Sequence, residues 1–117
     1  MSLLLSPVNL AKLSLNNRVV MPPMCMYEVH EKDGEITPFH TAHYGARAIG
    51  KVGLIIIEAT AVTPDGRLTD QDLGLWNDTQ AQKLQELVDS LHFLGIKVGI
   101  QLKHGGRKAK DAIYPLA

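Results

Sequence analysis

One short segment of the sequence combines rigid, soft and hydrogen-bonding residues: M-P-P-M-C-M-Y at positions 21–27. Pro22 and Pro23 stiffen the main chain, while methionines and the one cysteine of the sequence, Cys25, offer polarizable surface. That surface suits a flat conjugated ring. Cys25 could lie against its face, main-chain groups beyond the prolines could meet its polar edge, and Tyr27 could donate a hydrogen bond to a substrate carbonyl. The alternative is structural, a buried cysteine among core methionines, and residue types alone favour it.

Three further polar residues follow apolar segments where strands are expected to end. Gln101 carries donors and an acceptor on one amide, the pattern that reads an imide-like ring edge, although a capping amide is equally consistent. Glu58 and His104 are an acid and an imidazole that could ligate a metal or form an acid–base pair. A zinc site normally needs at least three protein ligands, so we expect no metal.

The other polar clusters are assigned to structure. Ring and guanidinium side chains on the first predicted helix are expected to be packed and hydrogen-bonded: His40, His43, Tyr44 and Arg47. The acidic residues around Trp76 fit a solvated loop anchored by one aromatic residue: Asp70, Asp72 and Asp78. No G-x-G-x-x-G motif or P-loop is present, so the phosphate of a bound nucleotide would need residues outside this chain.

The first elements that position these residues are a strand, a helix and a second strand. A strand is predicted over Arg18–Met21, which stops at the prolines. Thr37 as N-cap and Pro38 as first helical residue predict a helix, which Gly50 should end in a left-handed conformation. The β-branched and leucine run Val52–Ile57 then predicts a strand covered on both faces, with Glu58, Ala59 and Thr60 at its carboxyl end.

A second helix and a third strand complete the pattern. Thr79 and Gln82 form a plausible capping box, Gly95 should cap the end of the helix, and a strand is predicted over Lys97–Leu102. A hairpin of Leu3–Leu5 with Leu13–Leu15 is expected before the first strand, and residues 105–117 are expected to form a loop or the start of a third helix. The order βαβαβ predicts a parallel α/β sheet with right-handed crossovers. Ligands of such sheets bind beyond the carboxyl ends of the strands.

Composition excludes several classes of protein. The 117 residues are 45% hydrophobic and 21% charged, which is a globular composition. Twelve basic and twelve acidic residues give zero net charge, so we expect no nucleic-acid or anionic-membrane partner. The longest apolar run falls far short of the roughly 20 residues of a membrane span, and the amino terminus lacks a basic signal-peptide region. A single cysteine excludes a disulfide framework. We therefore expect a cytoplasmic protein.

Ordered motifs over most of the chain resemble the old yellow enzyme family, specifically its bacterial thermophilic-like ene-reductases. The motifs are S-P-V-N-L, N-R-V-V-M-P-P-M-C-M-Y, T-P-F-H-T-A-H-Y-G-A-R-A-I-G-K-V-G-L-I-I-I-E-A-T, P-D-G-R, D-L-G-L-W and G-I-Q-L-K-H-G-G-R-K-A. The resemblance implies a (β/α)8 TIM barrel that holds FMN non-covalently. It also implies reduction of activated C=C bonds of enals or enones at the expense of NAD(P)H.

The resemblance assigns roles to residues 22–27, which follow the first predicted strand. The backbone around Pro22, Pro23 and Met24 resembles the contact with the flavin edge. Cys25 matches the residue beside the isoalloxazine that tunes its redox behaviour and touches substrate. Tyr27 matches the substrate-facing tyrosine, so Cys25 and Tyr27 are the candidate catalytic residues.

Two residues on the later strands complete the implied flavin site. Ala59 matches a small residue packed against the flavin, and Gln101 matches the amide that reads its pyrimidine edge. No chemical role is carried over for His104. Lys103 and Gly105 stand where small residues such as alanine are more usual in the family, which is a local departure from its pattern.

Length separates this chain from a complete barrel, which needs about 250 residues. We expect residues 1–117 to be the N-terminal segment of a single FMN-binding TIM-barrel domain, with the remainder of the barrel absent from this chain. Absent with it are the family's carbonyl-binding pair and its FMN-phosphate loops, so the chain alone is expected to be inactive. The intact protein is expected to be a homo-oligomer acting on a small electrophilic alkene.

Two alternatives to the ene-reductase hypothesis remain. The chain could be a non-catalytic barrel fragment that self-associates through exposed strand edges. It could also be a metal-dependent hydrolase that uses Glu58 and His104.

Overall fold

Two helices and a four-stranded parallel sheet make up most of the computed structural model, which describes residues 2–109. The strands are β1 Val8–Leu10, β2 Leu13–Leu15, β3 Val20–Met21, β4 Leu54–Ala61, β5 Leu73–Gly74 and β6 Lys97–Lys103. The α-helices are α1 Pro38–Ile49 and α2 Asp78–Phe93, and single 3-10 turns cover Pro64–Gly66 and Gly106–Lys108. The predicted α/β order is therefore present.

The sheet is built around β4. Strand β3 pairs with the first half of β4, with Met21 opposite Ile55, and β6 pairs along its other side, with Ile57 opposite Ile100. Helix α1 connects β3 to β4, and α2 lies between β5 and β6 in the chain. One face of the apolar run of β4 is buried, through Ile55 and Ile57, while Leu54 and Ile56 on the other face are half-buried, so the predicted cover on both faces is only partial within residues 2–109. The strand runs further than predicted, to Ala61, because its last residues pair with β5 as well as β6.

The core lies between the sheet and the two helices. Ile55 and Ile57 of β4 pack in one cluster with Tyr44 of α1 and with Leu87 and Leu91 of α2. All five side chains are at most 2% exposed. Each helix thus buries one apolar stripe against the same strand, which fixes the strand ends relative to the helices.

The hairpin differs from its prediction. Strand β1 pairs antiparallel with β2, with Val8 opposite Leu15. The expected first arm, Leu3–Leu5, is instead an exposed turn, because the hydroxyl and the N–H of Ser6 both donate to the carbonyl of Leu3, at 2.6 and 3.1 Å. The predicted strand over Arg18–Met21 is also shortened, to Val20–Met21.

Helix ends are confirmed in part. Thr37 caps α1 as predicted, but Gly50 is right-handed, with φ of −72°, and the left-handed residue is Lys51, with φ of 68°. In α2 the predicted box of Thr79 and Gln82 is wrong. The cap is Asn77, whose side chain accepts from the N–H of Gln80 while the Gln80 side chain accepts from the N–H of Asn77. Gly95 has φ of 83°, in agreement with its predicted role.

The end of the chain is only partly comparable with its prediction. Residues 106–108 form a 3-10 turn, and the rest of the expected loop or third helix, from residue 110 onward, lies outside the described residues. Within residues 2–109, neither helix is long and apolar enough to cross a membrane.

Candidate functional site

The candidate site residues meet at one edge of the sheet. Strands β3, β4 and β6 are parallel, so their carboxyl ends lie on the same side. The segment 22–27 follows β3, Ala59 lies in the last part of β4, and Gln101 lies in the last part of β6. The topology thus brings together the segment of Cys25, the small residue and the amide, as the sequence predicted.

These side chains are accessible rather than packed into the core. Met24 and Tyr27 are 46% and 44% exposed, Gln101 is exposed, and Cys25 and Ala59 are half-buried. The structural alternative for the segment, a buried cysteine among core methionines, is therefore wrong for Cys25 and Met24. It holds only for Met21, which is 6% exposed.

Tyr27 adopts an unusual backbone conformation. Its φ is 56°, in the left-handed region, which costs a residue with a Cβ roughly 1–2 kcal/mol. Contacts on both sides hold it there. The N–H of Met26 donates to Oε2 of Glu58 at 3.2 Å, and the N–H of the fully buried Val29 donates to the carbonyl of Gln71 at 3.2 Å. The strain is therefore maintained by the surrounding structure.

Glu58 is the centre of a buried polar cluster that the sequence analysis did not predict. Its carboxylate is 1% exposed, and the hydroxyl of Tyr44 donates to Oε1 at 2.9 Å. The main-chain N–H of Glu58 donates back to the same hydroxyl, also at 2.9 Å. Nε2 of His40 lies 3.6 Å from Oε1, an electrostatic contact slightly beyond hydrogen-bond length. We name Glu58, Tyr44 and His40 the buried triad.

His40 connects the buried triad to the start of α1. Its Nδ1 accepts from the N–H of Thr37 at 3.1 Å, and its Nε2 faces Glu58. The hydrogen bond that caps the start of α1 thus also orients the imidazole ring of His40. The prediction that the ring and guanidinium side chains of this helix are packed and hydrogen-bonded is confirmed for His40 and Tyr44. It is wrong for His43, whose half-buried ring has no hydrogen-bond partner at Nε2 within residues 2–109, and for Arg47, which is exposed.

A β-bulge turns Glu58 toward the helices. The pairing of β4 with β6 shifts register between Ile57 and Thr60. Ile57 and Glu58 are consecutive, yet both are buried on the helix side, Ile57 in the core cluster and Glu58 against Tyr44. Regular alternation would place them on opposite faces. The irregularity therefore explains how a strand residue reaches α1.

The protonation of the buried triad follows from its hydrogen bonds. Burial alone would raise the pKa of Glu58, but the contacts with His40, the Met26 N–H and the Tyr44 hydroxyl together lower it below its ordinary value. Burial, with the negative charge of Glu58, raises the pKa of Tyr44. Glu58 is therefore an ionised acceptor near neutral pH, and Tyr44 is a donor.

A second buried charge lies at the same edge of the sheet. Asp72 is 2% exposed and accepts from Nζ of Lys103 at 2.6 Å. The same carboxylate accepts from the N–H of Leu68 at 2.8 Å, and from the N–H and hydroxyl of Thr69 at 3.3 and 2.9 Å. Lys103 is two residues beyond Gln101 on β6. The pair thus ties the loop 68–72 to the strand that carries the amide.

A shallow cleft lies beside Tyr27. Its volume is about 380 Å³, and it is lined by Lys32, Thr69, Asp70 and Gln71 as well as Tyr27. A larger groove, of about 570 Å³, runs between the two helices and has no candidate site residue on its walls. The cleft therefore contains one candidate site residue, Tyr27, and the groove contains none.

Glu58 and His104 do not form the acid–base pair considered from sequence. His104 accepts from the N–H of Gly106 through Nδ1 at 3.0 Å, and its Nε2 lies 4.0 Å from Asp65. Glu58 has the separate partners described above. In the part of the chain that the structure describes, no three acidic, histidine or cysteine side chains are grouped to hold a metal. The geometry gives the hydrolase hypothesis no support.

Comparison with known proteins identifies the fold. The chain superposes on morphinone reductase with a TM-score of 0.83 and 35% identity, covering 91% of this chain and 27% of that one. It superposes on the old yellow enzyme from Pichia sp. AKU4542 with a TM-score of 0.85 and 30% identity, covering 92% and 28%. These neighbours are TIM barrels, so the α/β unit described above is the amino-terminal part of such a barrel.

Sequence comparison gives the family. The chain is 56% identical over 107 residues to an NADPH dehydrogenase of Bacillus subtilis (strain 168), covering 92% of this chain and 32% of that protein. It is 58% identical over 109 residues to an NADPH dehydrogenase of Listeria monocytogenes serotype 4b (strain F2365), covering 93% and 32%. The chain thus spans about a third of the length of these relatives. The model of the NADH:flavin oxidoreductase / NADH oxidase family matches residues 3–115, and the chain belongs to that family.

Proposed function

We propose that the protein to which this chain belongs is an FMN-dependent NAD(P)H oxidoreductase that reduces activated C=C bonds of small enals or enones. The observation that carries the proposal is the meeting of the segment 22–27, Ala59 and Gln101 at one edge of the sheet, in a chain of the flavin oxidoreductase family. We also propose that the intact protein is a homo-oligomer.

The groups at this edge fit FMN. The exposed Gln101 amide has donors and an acceptor, and it makes no hydrogen bond within residues 2–109, so it is available to the pyrimidine edge. Ala59 is small enough to let a ring approach the sheet. Main-chain groups of Pro23 and Met24 would meet the flavin edge, with Cys25 beside the ring. Bound FMN supplies hydride transfer from NAD(P)H to the β-carbon of the alkene.

The protein residues orient the substrate and shape the site. Tyr27 lines the cleft, and its hydroxyl would donate a hydrogen bond to the substrate carbonyl, drawing electron density away from the β-carbon. Cys25 would contact both ring and substrate with a polarizable sulfur. These roles predict different effects on the two half-reactions: Tyr27→Phe should slow alkene reduction more than flavin reduction by NAD(P)H. Equal effects would contradict the placement of Tyr27.

FMN titration of the apoprotein tests the binding site. Gln101→Ala should weaken FMN binding by about tenfold, the value of one or two net hydrogen bonds. Gln82→Ala is the matched control, because Gln82 is an exposed amide on α2. Cys25→Ala should retain FMN and change its reduction potential, measured by equilibrium dye reduction. An intact protein that is colourless and takes up no added FMN would overturn the proposal.

The alternative of a self-associating, non-catalytic fragment is supported by a different observation. Within the described residues β6 pairs only with β4, so its other edge is free, and Leu102 near its end is 56% exposed. Light scattering distinguishes the two. Association that persists with no FMN uptake supports the fragment, and a monomer of 12.8 kDa contradicts it.

A further inference from the structure

The buried triad reaches the candidate site through one main-chain bond. Oε2 of Glu58 accepts from the N–H of Met26 at 3.2 Å. Met26 stands between the two candidate catalytic residues, Cys25 and Tyr27. Fixing the Met26 peptide therefore restricts the main chain on which both side chains are mounted. The other oxygen, Oε1, is held by Tyr44 at 2.9 Å, so the carboxylate has little freedom to rotate.

The same contact supports the strained residue. Tyr27 is 44% exposed and has φ of 56°, so neither its own burial nor its conformational preference holds it in place. The Cys25–Met26 peptide, one peptide further from Tyr27 than its own, is anchored by Glu58, and the Glu28–Val29 peptide is anchored by the Val29–Gln71 hydrogen bond. Without the first anchor, relaxation of Tyr27 toward negative φ would release the strain.

We propose that Glu58, held by Tyr44 and His40, is a positioning residue that fixes the Met26 peptide and thereby the Cys25 thiol and the Tyr27 hydroxyl at the redox site. The effect on catalysis rests on the proposed function. The positioning of the Met26 peptide involves only residues of this chain.

The chemistry of the cluster favours positioning over simple stabilisation. A carboxylate that is 1% exposed is costly to bury, and an apolar residue of similar size often packs as well or better. The carboxylate offers something that an apolar residue lacks: two acceptor oxygens for two donors on different elements, the Tyr44 hydroxyl and the Met26 N–H. Glutamine offers one acceptor oxygen, so Glu58→Gln should lose one of these bonds.

The experiment compares the full chain with Glu58→Gln, and with Glu86→Gln as control, since Glu86 is exposed on α2. The first measurement is amide hydrogen exchange over residues 24–28, and the second is the rate of Cys25 alkylation by iodoacetamide. Loss of the charge-assisted bond should speed exchange of this segment by about tenfold relative to the rest of the sheet. The alkylation rate of Cys25 should change in Glu58→Gln and stay at the wild-type value in Glu86→Gln.

A second variant covers the possibility that Glu58→Gln does not fold. Tyr44→Phe keeps the ring in the core and removes only the hydroxyl, so the Glu58 carboxylate loses its donor at Oε1 and the main-chain N–H of Glu58 loses its acceptor. It should produce the same pattern, with smaller changes. Exchange and alkylation that match wild type in both folded variants would overturn the proposal. Faster exchange spread evenly over the whole sheet would overturn it too, because that is the signature of general destabilisation.

Steady-state kinetics separate this inference from the proposed function. With an enone and NADPH, Glu58→Gln should lower kcat for alkene reduction and leave KM for NADPH unchanged. These kinetics use the intact protein, because the chain alone is expected to be inactive. If the intact wild-type protein binds no FMN and reduces no enone, the proposed function fails. The exchange and alkylation results still decide whether Glu58 positions the segment.

Discussion

Removal of the charge on Asp72 tests the buried ion pair at the edge of the candidate site. Asp72→Asn keeps the size of the side chain and leaves the ammonium group of Lys103 without its partner. The side chain of Lys103 is 13% exposed and that of Asp72 is 1% exposed, so neither group can be rehydrated fully without a change in the fold. The variant should therefore destabilise the protein strongly.

The magnitude follows from the contacts of the carboxylate. Breaking a buried pair by removing one partner costs about 3–5 kcal/mol. Partial exposure of Lys103 favours the lower end, about 3 kcal/mol, which for a chain of this size lowers Tm by roughly 12 °C. Asparagine can still accept from the Leu68 and Thr69 N–H groups through its one oxygen, but its NH₂ group then faces Lys103.

A double-mutant cycle with Lys103→Met measures the coupling. The loss in the double variant should be about 2 kcal/mol smaller than the sum of the two single losses, because no buried charge is then unpaired. Urea unfolding gives each free energy. Glu35→Gln is the control: it breaks the pair of Glu35 with the exposed Lys83, at 2.6 Å, and should change stability little. Additive losses, or equal effects at the two pairs, would refute the reasoning.

The dependence of this loss on pH provides an independent check. Burial would raise the pKa of Asp72, but the hydrogen bonds from Lys103, Thr69 and Leu68 lower it below the ordinary value of 3.8. A carboxylate whose pKa is lower in the folded state stabilises the fold above its unfolded pKa, and this stabilisation is lost as pH falls through the folded value. The difference between wild type and Asp72→Asn should therefore be constant near neutral pH and shrink below 3.8.

Two backbone predictions can be measured by the same unfolding assay. A Cβ at Gly53 would lie 2.3 Å from the carbonyl oxygen of Asn17, and the Gly53 N–H is held by Val19 at 2.8 Å, so Gly53→Ala should cost about 1–3 kcal/mol. An unchanged midpoint would show that this contact can relax. Lys51 has φ of 68°, so Lys51→Gly should stabilise the protein by up to about 1 kcal/mol, and a loss of stability would contradict that argument.

Long elements with strong periodicity were predictable from the sequence, and short ones were not. Helix α1 begins at Pro38 as predicted, since an N-cap and a proline precede a regular apolar stripe. Strand β5 has only two residues and was not predicted, because it exists through its pairing with the end of β4. The hairpin arm was misplaced because leucines alone do not reveal that Ser6 closes a turn.

Capping shows why helix boundaries were only partly predictable. Asn77, Asp78 and Thr79 are all good N-cap residues, so composition does not choose among them. The choice is made by Gln80, whose NH₂ group also donates to the carbonyl of Asp33 at 2.9 Å. That contact spans 47 positions of the chain and has no local signal.

The common sheet edge of the candidate site residues was predictable from the strand order, but their supporting contacts were not. Lys103 was noted as a departure from the family pattern and Asp72 as a solvated loop residue, and the structure shows that each explains the other. One signal could have suggested this ion pair. Lys103 ends an apolar strand, and Asp72 lies in the long loop that precedes α2. The partners of Glu58 lie on α1 and beyond β3, and sequence separation hid them.

The bulge in β4 changes which side of the sheet the side chains near the candidate site face. The bulge turns Glu58 toward Tyr44, and its neighbour Ala59 is half-buried near the carboxyl end of the same strand. In a regular strand, Ile57 on the helix side would put Glu58 on the opposite face of the sheet, away from Tyr44. The register shift between Ile57 and Thr60 thus has two consequences. It brings the carboxylate to the helix side within reach of Tyr44, and it lets the other carboxylate oxygen hold the segment that carries Cys25 and Tyr27.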